Sequence, residues 1–144
     1  MTSRSERLQP AVDQAQRRQK DALQRLADQQ QKLAQAEQQM AELKRYRQDY
    51  SVAAGGLTVS ALLNRQQFVE RIDQAIVQQG RTVERLQRQL DSARERWLQA
   101  HARESALDSV VERFRKQEQQ REDRREQADV DERMQYRRRP AGTP

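Results

Sequence analysis

The chain has 144 residues, of which 34% are hydrophobic, 4% aromatic and 35% charged, with four glycines, three prolines and no cysteine. So few apolar side chains cannot build a sizeable globular core, and the lack of cysteine excludes a disulfide framework and a thiolate metal site. The formal net charge of +6 comes from 28 basic and 22 acidic side chains that interleave along the chain, which favours a solvated helix surface over a nucleic-acid footprint.

The first predicted element is a helix over about residues 5–52. Apolar residues recur every seven positions in two columns, which a disordered chain would not maintain. Polar members interrupt both columns. The a column holds Val12, Gln19, Leu26, Leu33, Met40 and Arg47, and the d column holds Leu8, Ala15, Ala22, Gln29, Ala36, Leu43 and Tyr50.

A turn over about residues 53–58 follows, because Gly55 and Gly56 are the only adjacent glycines and glycine is unfavourable inside a helix. The second predicted helix runs over about 59–136, before a flexible tail at 137–144. Its start lies near Val59, with Ser60 as one possible cap and Asn64 with Gln67 as an alternative capping box. Its a column holds Leu62, Val69, Ile76, Val83, Leu90, Trp97, Glu104 and Val111, and its d column Arg65, Ile72, Gln79, Leu86, Ala93, Ala100, Leu107 and Phe114.

Neither helix can bury its seam alone, and the short connection makes each helix the nearest partner of the other. We therefore predict an all-α fold, a single antiparallel coiled-coil hairpin whose second helix overhangs at its C-terminal end. A turn centred on the glycines places residues in facing layers of small and large side chains, with glutamines that fix the register. The predicted layers are Leu43 with Val69, Met40 with Ile72, Ala36 with Ile76, Leu26 with Leu86, Ala22 with Leu90, and Ala15 with Trp97.

Two surfaces are left over once this hairpin is formed. In the predicted register Leu107, Val111 and Phe114, together with Val110, have no facing residues and form an apolar stripe for a partner. The alternative is that residues 1–7 extend the first helix and cover part of the stripe. The second surface lies near the turn, where Tyr46 and Phe68 project from one edge beside Gln39 and Ala75. These aromatic residues indicate a partner-binding patch, or else only cover the end of the seam.

The residues around the turn resemble the flagellar export protein FliJ family over nearly the whole chain. The resemblance rests on their order and spacing: Leu43-Lys44-Arg45-Tyr46-Arg47-Gln48-Asp49-Tyr50, then Gln66-Gln67-Phe68-Val69, Ile72, Ala75-Ile76-Val77-Gln78-Gln79 and Arg96-Trp97. It implies a component of the bacterial flagellar type III export apparatus, a coiled coil similar to the stalk of rotary ATPases. The implied partners are the hexameric export ATPase FliI, the export gate protein FlhA, and export chaperones or flagellar cargo.

The resemblance also implies site residues. The gate-binding surface would fall on Gln39, Leu43, Tyr46, Tyr50, Phe68, Ile72, Ala75 and Gln79. Gln79 departs from the histidine that can occur in the family, and Leu43 and Ile72 also belong to the predicted seam. For the ATPase, the resemblance implies only that the end carrying the chain termini binds it. Our candidates there come from the residues of the overhanging end: Leu107, Val110, Val111, Phe114, Arg133, Arg137, Arg138 and Arg139.

We expect no enzymatic activity, no cofactor and no small-molecule substrate, because His101 is the only histidine and Gly55-Gly56 does not lead into a phosphate-binding lysine. No stretch has the ~20 apolar residues of a membrane span, so a cytoplasmic protein with only indirect membrane association at the flagellar base is expected. The alternatives are a structural or spacer coiled coil, an injectisome stalk homologue, and a basic helix that binds nucleic acid. The nucleic-acid reading would use Arg17, Arg18, Arg124, Arg125 and Arg137 to Arg139.

Overall fold

The computed structural model describes residues 3–52 and 56–138 and contains two long helices that pack against each other. Helix α1 spans Arg4–Val52 and helix α2 spans Val59–Arg138. The predicted all-α helical hairpin is confirmed. Arg137 and Arg138, expected in a flexible tail, belong to α2. The rest of that tail, 139–144, and part of the turn, 53–55, lie outside the described residues.

Each helix begins at a hydroxyl side chain that accepts a hydrogen bond from a free backbone N–H group of the first turn. Ser3 Oγ accepts from the N–H of Glu6 at 3.3 Å, and Thr58 Oγ1 accepts from the N–H of Ala61 at 3.3 Å. The cap of α2 is therefore Thr58, and the prediction of Ser60 or Asn64 was wrong. A cap must directly precede the first helical residue for its oxygen to reach the third N–H group of the helix.

The two helices divide into two compact units along their length. The second unit, Gln19–Ala100, has a core of Leu26, Leu33 and Leu90. Four half-buried side chains pack against this core: Val83, Leu86, Ala93 and Trp97. Each buried leucine contributes roughly 1.5–3 kcal/mol relative to an exposed one. These residues belong to the a and d columns, so the heptad pattern locates this core.

The register of the second unit differs from the predicted one by about one heptad. Met40 was expected opposite Ile72, but its Cε lies 3.5 Å from the point where a β-carbon on Gly80 would be. Tyr50 packs against Phe68, with ring centroids 4.7 Å apart. A seven-residue pattern fits two registers one heptad apart equally well, so the heptad columns alone do not choose between them.

Polar contacts between the helices accompany this register. Gln79 Nε2 donates to the backbone carbonyl of Ala36 at 2.9 Å and to Gln39 Oε1 at 3.2 Å. Arg47 Nε donates to Asp73 Oδ1 at 2.6 Å. Ala36 was expected opposite Ile76, and instead its carbonyl accepts a hydrogen bond from the glutamine three residues farther along α2. The contact made by Gln79 is of the kind expected from a glutamine that fixes register.

Among the described residues, the first unit contains 3–18 and 101–138. Val12, Ala15 and Val111 are buried in it, with 4–6% of their surfaces exposed. The predicted bare stripe is therefore wrong for Val111, and Leu107, Val110 and Phe114 are half-buried. The physical reason is that α1 begins at Arg4 and continues through Pro10, so its first turns cover the stripe. This matches the alternative in which the N-terminal residues extend the first helix.

Beyond Glu118 every described residue of α2 is exposed, from Gln119 to Arg138. This 20-residue stretch is the overhang. It holds hydrogen bonds between side chains four residues apart, from Gln119 to Asp123 and from Gln127 to Asp131. Within residues 3–52 and 56–138, no helix has the length and apolar character needed to cross a membrane.

Candidate partner-binding surfaces

Three aromatic side chains of the second unit are exposed, two of them one helical turn apart on α1. We call these three the aromatic patch: Tyr46, Tyr50 and Phe68. Their exposed fractions are 57%, 41% and 43%. The ring planes of Tyr50 and Phe68 are tilted by 44° to each other, and their centroids lie 4.7 Å apart. Tyr50 of α1 and Phe68 of α2 therefore fix each other's position. An exposed aromatic pair fixed by mutual packing offers apolar area to a partner at little cost in side-chain entropy.

The other residues of the predicted gate-binding set differ in accessibility. Gln39 is exposed, and Leu43, Ala75 and Gln79 are half-buried. Ile72 has only 7% of its surface exposed, so it supports the patch from within the seam. Because Gln79 donates to Ala36 and Gln39, its amide already serves to join the helices.

An exposed aliphatic cluster at the start of α2 was not singled out from the sequence. Leu57, Val59, Leu62 and Leu63 are exposed by 43–75%. The contact of Tyr50 with Phe68 leaves about two turns of α2 ahead of that contact. One signal could have found the cluster: the run from Tyr50 to Asn64 carries no charged residue, although 35% of the whole chain is charged.

In the first unit, the predicted arginines of the ATPase-binding set lie on the overhang. Arg133, Arg137 and Arg138 are exposed, and Arg139 lies outside the described residues. Three apolar side chains share this stretch and were not in the predicted set: Val130, Met134 and Tyr136, with 45%, 55% and 80% of their surfaces exposed. The overhang, rather than the covered stripe around Val111, is the accessible part of this candidate surface.

Between the beginning of α1 and the facing turns of α2 lies a cavity of about 560 Å³, which we call the arginine groove. It is lined by Ser3, Arg4, Arg7, Phe114, Gln117, Glu118, Arg121, Glu122 and Arg125. The guanidinium carbon of Arg4 lies 5.7 Å from the ring centroid of Phe114, within range of a cation–π interaction. Sequence reasoning missed this groove because the predicted register gave α2 no partner here.

Glu118 joins the two sides of the arginine groove. Its carboxylate accepts hydrogen bonds from Ser5 Oγ at 2.8 Å and from the Ser5 backbone N–H at 3.2 Å. These bonds, led by the one from the Ser5 hydroxyl, lower the pKa of Glu118 below its ordinary value of 4.5. The carboxylate thus caps the first turn of α1 from the neighbouring helix.

Fold and surfaces together define a helical-hairpin protein with exposed surfaces of two kinds, one aromatic and one rich in arginine. A comparison with sequence families gives a match to the family described as Flagellar FliJ protein, over residues 4–141. The chain therefore belongs to the flagellar FliJ family, and with it to the components of flagellar type III export. No curated protein matches the sequence.

Proposed function

We propose that this chain couples the ATPase of the flagellar type III export apparatus to the export gate and assists in delivering export chaperones or flagellar cargo. It would do so at the cytoplasmic face of the inner membrane, through partners and not by crossing the bilayer. The single observation that carries the proposal is the aromatic patch, because it is exposed at the positions that the family resemblance assigns to gate binding.

The chemistry of the patch supports a contact with a protein. Aromatic residues are enriched among the few side chains that dominate protein–protein binding energy. Tyr46 has 57% of its surface exposed and a hydroxyl that can be hydrogen-bonded by a partner. The neighbouring leucines at the start of α2 extend the apolar area around the patch, so an apolar surface of the gate protein is the partner chemistry that fits.

The contact with the ATPase would use the first unit. The accessible candidates are Arg133, Arg137 and Arg138 on the overhang, whose charges can pair with carboxylates of the partner. Leu107, Val110 and Phe114 are half-buried and would support this end mainly by holding α1 on α2. Both proposed contacts use residues of α2, an uninterrupted helix of 80 residues, so one element carries both.

The gate contact is tested by the double variant Tyr46→Ala with Phe68→Ala. Because both side chains are exposed, helicity measured by circular dichroism should be unchanged. The affinity for the purified cytoplasmic domain of the gate protein should fall by about tenfold or more, as for hot-spot residues.

A matched control removes two exposed leucines of the same unit, Leu23 and Leu98, with exposed fractions of 45% and 51%. Leu23→Ala with Leu98→Ala should bind the gate domain like the native chain. Full affinity of the Tyr46→Ala, Phe68→Ala variant would contradict the assignment of the gate contact to the aromatic patch.

A further inference from the structure

We infer that the arginine groove of the first unit receives a carboxylate-bearing segment of the export ATPase, whose acidic side chains pair with Arg4, Arg7, Arg121 and Arg125. The inference rests on the proposed function for the identity of the partner. It adds the chemistry of the contact and moves its centre from the predicted apolar stripe to this groove.

Each helix places two arginines close together on its side of the groove. Arg4 and Arg7 are three residues apart on α1, and Arg121 and Arg125 are four residues apart on α2, so each pair shares one helix face. Like charges at these spacings destabilise a helix. Two such pairs line a single cavity. An acidic partner would remove the repulsion within both pairs.

The groove does not neutralise its own arginines. Within the structurally described part of the chain, the ion pair found is between Arg47 and Asp73, and none of the four groove arginines takes part in one. Glu118 and Glu122 line the same groove, but neither forms an ion pair with these arginines, and the two carboxylate oxygens of Glu118 accept hydrogen bonds from Ser5. The groove thus presents guanidinium groups whose hydrogen-bonding capacity is available to a ligand.

The side chain of Arg4 is held in position by the aromatic ring of Phe114, which leaves its positive charge without a counterion among the residues that the structure describes. Its guanidinium carbon lies 5.7 Å from the ring centroid of Phe114. A cation–π contact of this kind orients the planar guanidinium, and its N–H donors remain free to bind a carboxylate in a bidentate manner. Phe114 is then a positioning residue of the groove, which gives this member of the predicted ATPase-binding set a specific role.

The mixture of charges decides which acidic ligand fits. Four arginines and two glutamates, Glu118 and Glu122, line the groove, so its formal charge is +2. A nucleic-acid strand would bring a continuous row of phosphates against those two carboxylates. A peptide with spaced acidic residues can place each carboxylate beside an arginine and avoid the glutamates, and electrostatic complementarity of this kind gives specificity.

The experiment measures binding of the full chain to the purified export ATPase, together with ATP hydrolysis. The variant Arg121→Glu with Arg125→Glu reverses both charges on α2. Its affinity for the ATPase should fall by about tenfold or more, because close interfacial charge pairs carry large coupling energies. Native binding should also weaken as salt rises from 50 to 300 mM, where charges are screened, and the variant should lose most of that dependence.

Two further variants separate the groove from general effects of charge or folding. Arg81→Glu with Arg85→Glu makes the same change on an exposed face of α2 in the second unit and should bind the ATPase like the native chain. Arg4→Glu with Arg7→Glu places acidic residues near the start of α1, where the helix dipole favours them. Helicity should therefore be kept in this variant, and ATPase binding should fall as it does for the α2 variant.

The outcomes are distinct. If the native chain binds the ATPase and both groove variants bind it equally well, the groove inference is overturned and the proposed function stands. If the native chain neither binds the ATPase nor changes its hydrolysis, the proposed function itself fails. If the groove variants keep ATPase binding but lose binding to a 20-nucleotide single-stranded DNA, the groove is a nucleic-acid site and the inference is overturned.

Discussion

Glu118 is the side chain through which α2 holds the beginning of α1. Its carboxylate accepts from both the hydroxyl and the backbone N–H of Ser5, and Ser5 is a buried polar residue with 7% of its surface exposed. The first N–H groups of a helix have no partner within the helix. A charged acceptor from the facing helix therefore satisfies one of them and complements the positive end of the α1 dipole.

This contact predicts a dependence on pH. The pKa of Glu118 is lower in the folded state than its ordinary value of 4.5, so its contribution to stability is present at pH values above 4.5. That contribution is lost as the pH falls through the lowered pKa, where the carboxylate becomes protonated. We expect Glu118→Gln to speed hydrogen exchange of the Ser5 amide near pH 6, measured by NMR. Glu122→Gln is the matched control, and equal exchange rates in the two variants would contradict the role of Glu118.

The helix caps and the register depend on individual hydrogen bonds and side-chain contacts, which a seven-residue period does not predict. The heptad columns of the sequence located the core of Leu26, Leu33 and Leu90. They could not choose between registers one heptad apart. The choice is visible only in contacts such as Gln79 with Ala36 and Tyr50 with Phe68.

Two glycines of the hairpin should respond to alanine in opposite directions. Gly80 lies inside α2, and a β-carbon there would meet Met40 Cε at an ordinary 3.5 Å. Gly80→Ala should therefore raise the free energy of unfolding by about 0.5–1 kcal/mol. Gly56 has a φ of +85° with open space around it, so Gly56→Ala should lower that free energy by roughly 1–2 kcal/mol through backbone strain alone.

Urea denaturation followed by circular dichroism measures both glycine variants. Changes of the same sign would show that the backbone conformation at one of the two positions differs from the one described.

The heptad pattern was enough to predict the helical hairpin of the complete chain. Which surfaces are accessible depends, in addition, on where each helix begins and ends. The sequence predicted two helices and a longer second one, and it named Tyr46 and Phe68 as exposed aromatics. It misjudged Val111, because a helix start at Arg4 with Pro10 inside the helix is unfavourable by propensity alone. Packing on α2 and the hydrogen bonds of Ser5 to Glu118 offset that cost, and only the assembled hairpin supplies them.

Because burial ends at Glu118, the residues up to that position should account for the stability of the fold. All described residues after Glu118 are exposed, so truncation after Arg125 should change the free energy of unfolding by less than about 0.5 kcal/mol. Removal of residues 1–7 should lower it much more, because it takes away the contact of Arg4 with the Phe114 ring and the hydrogen bonds of Ser5 to Glu118. Thermal unfolding of the two truncated chains makes the comparison, and a large loss in the first would contradict it.

The early start of α2 has a consequence for tolerance to insertion. Leu57, Val59, Leu62 and Leu63 are exposed ahead of the pair formed by Tyr50 and Phe68, so extra residues next to Gly56 would leave every described interhelical pair in place. A short epitope or fluorescent tag inserted there would label the protein without disturbing the packing between its two helices. Homologues could gain or lose loop residues at the same point and keep an identical seam.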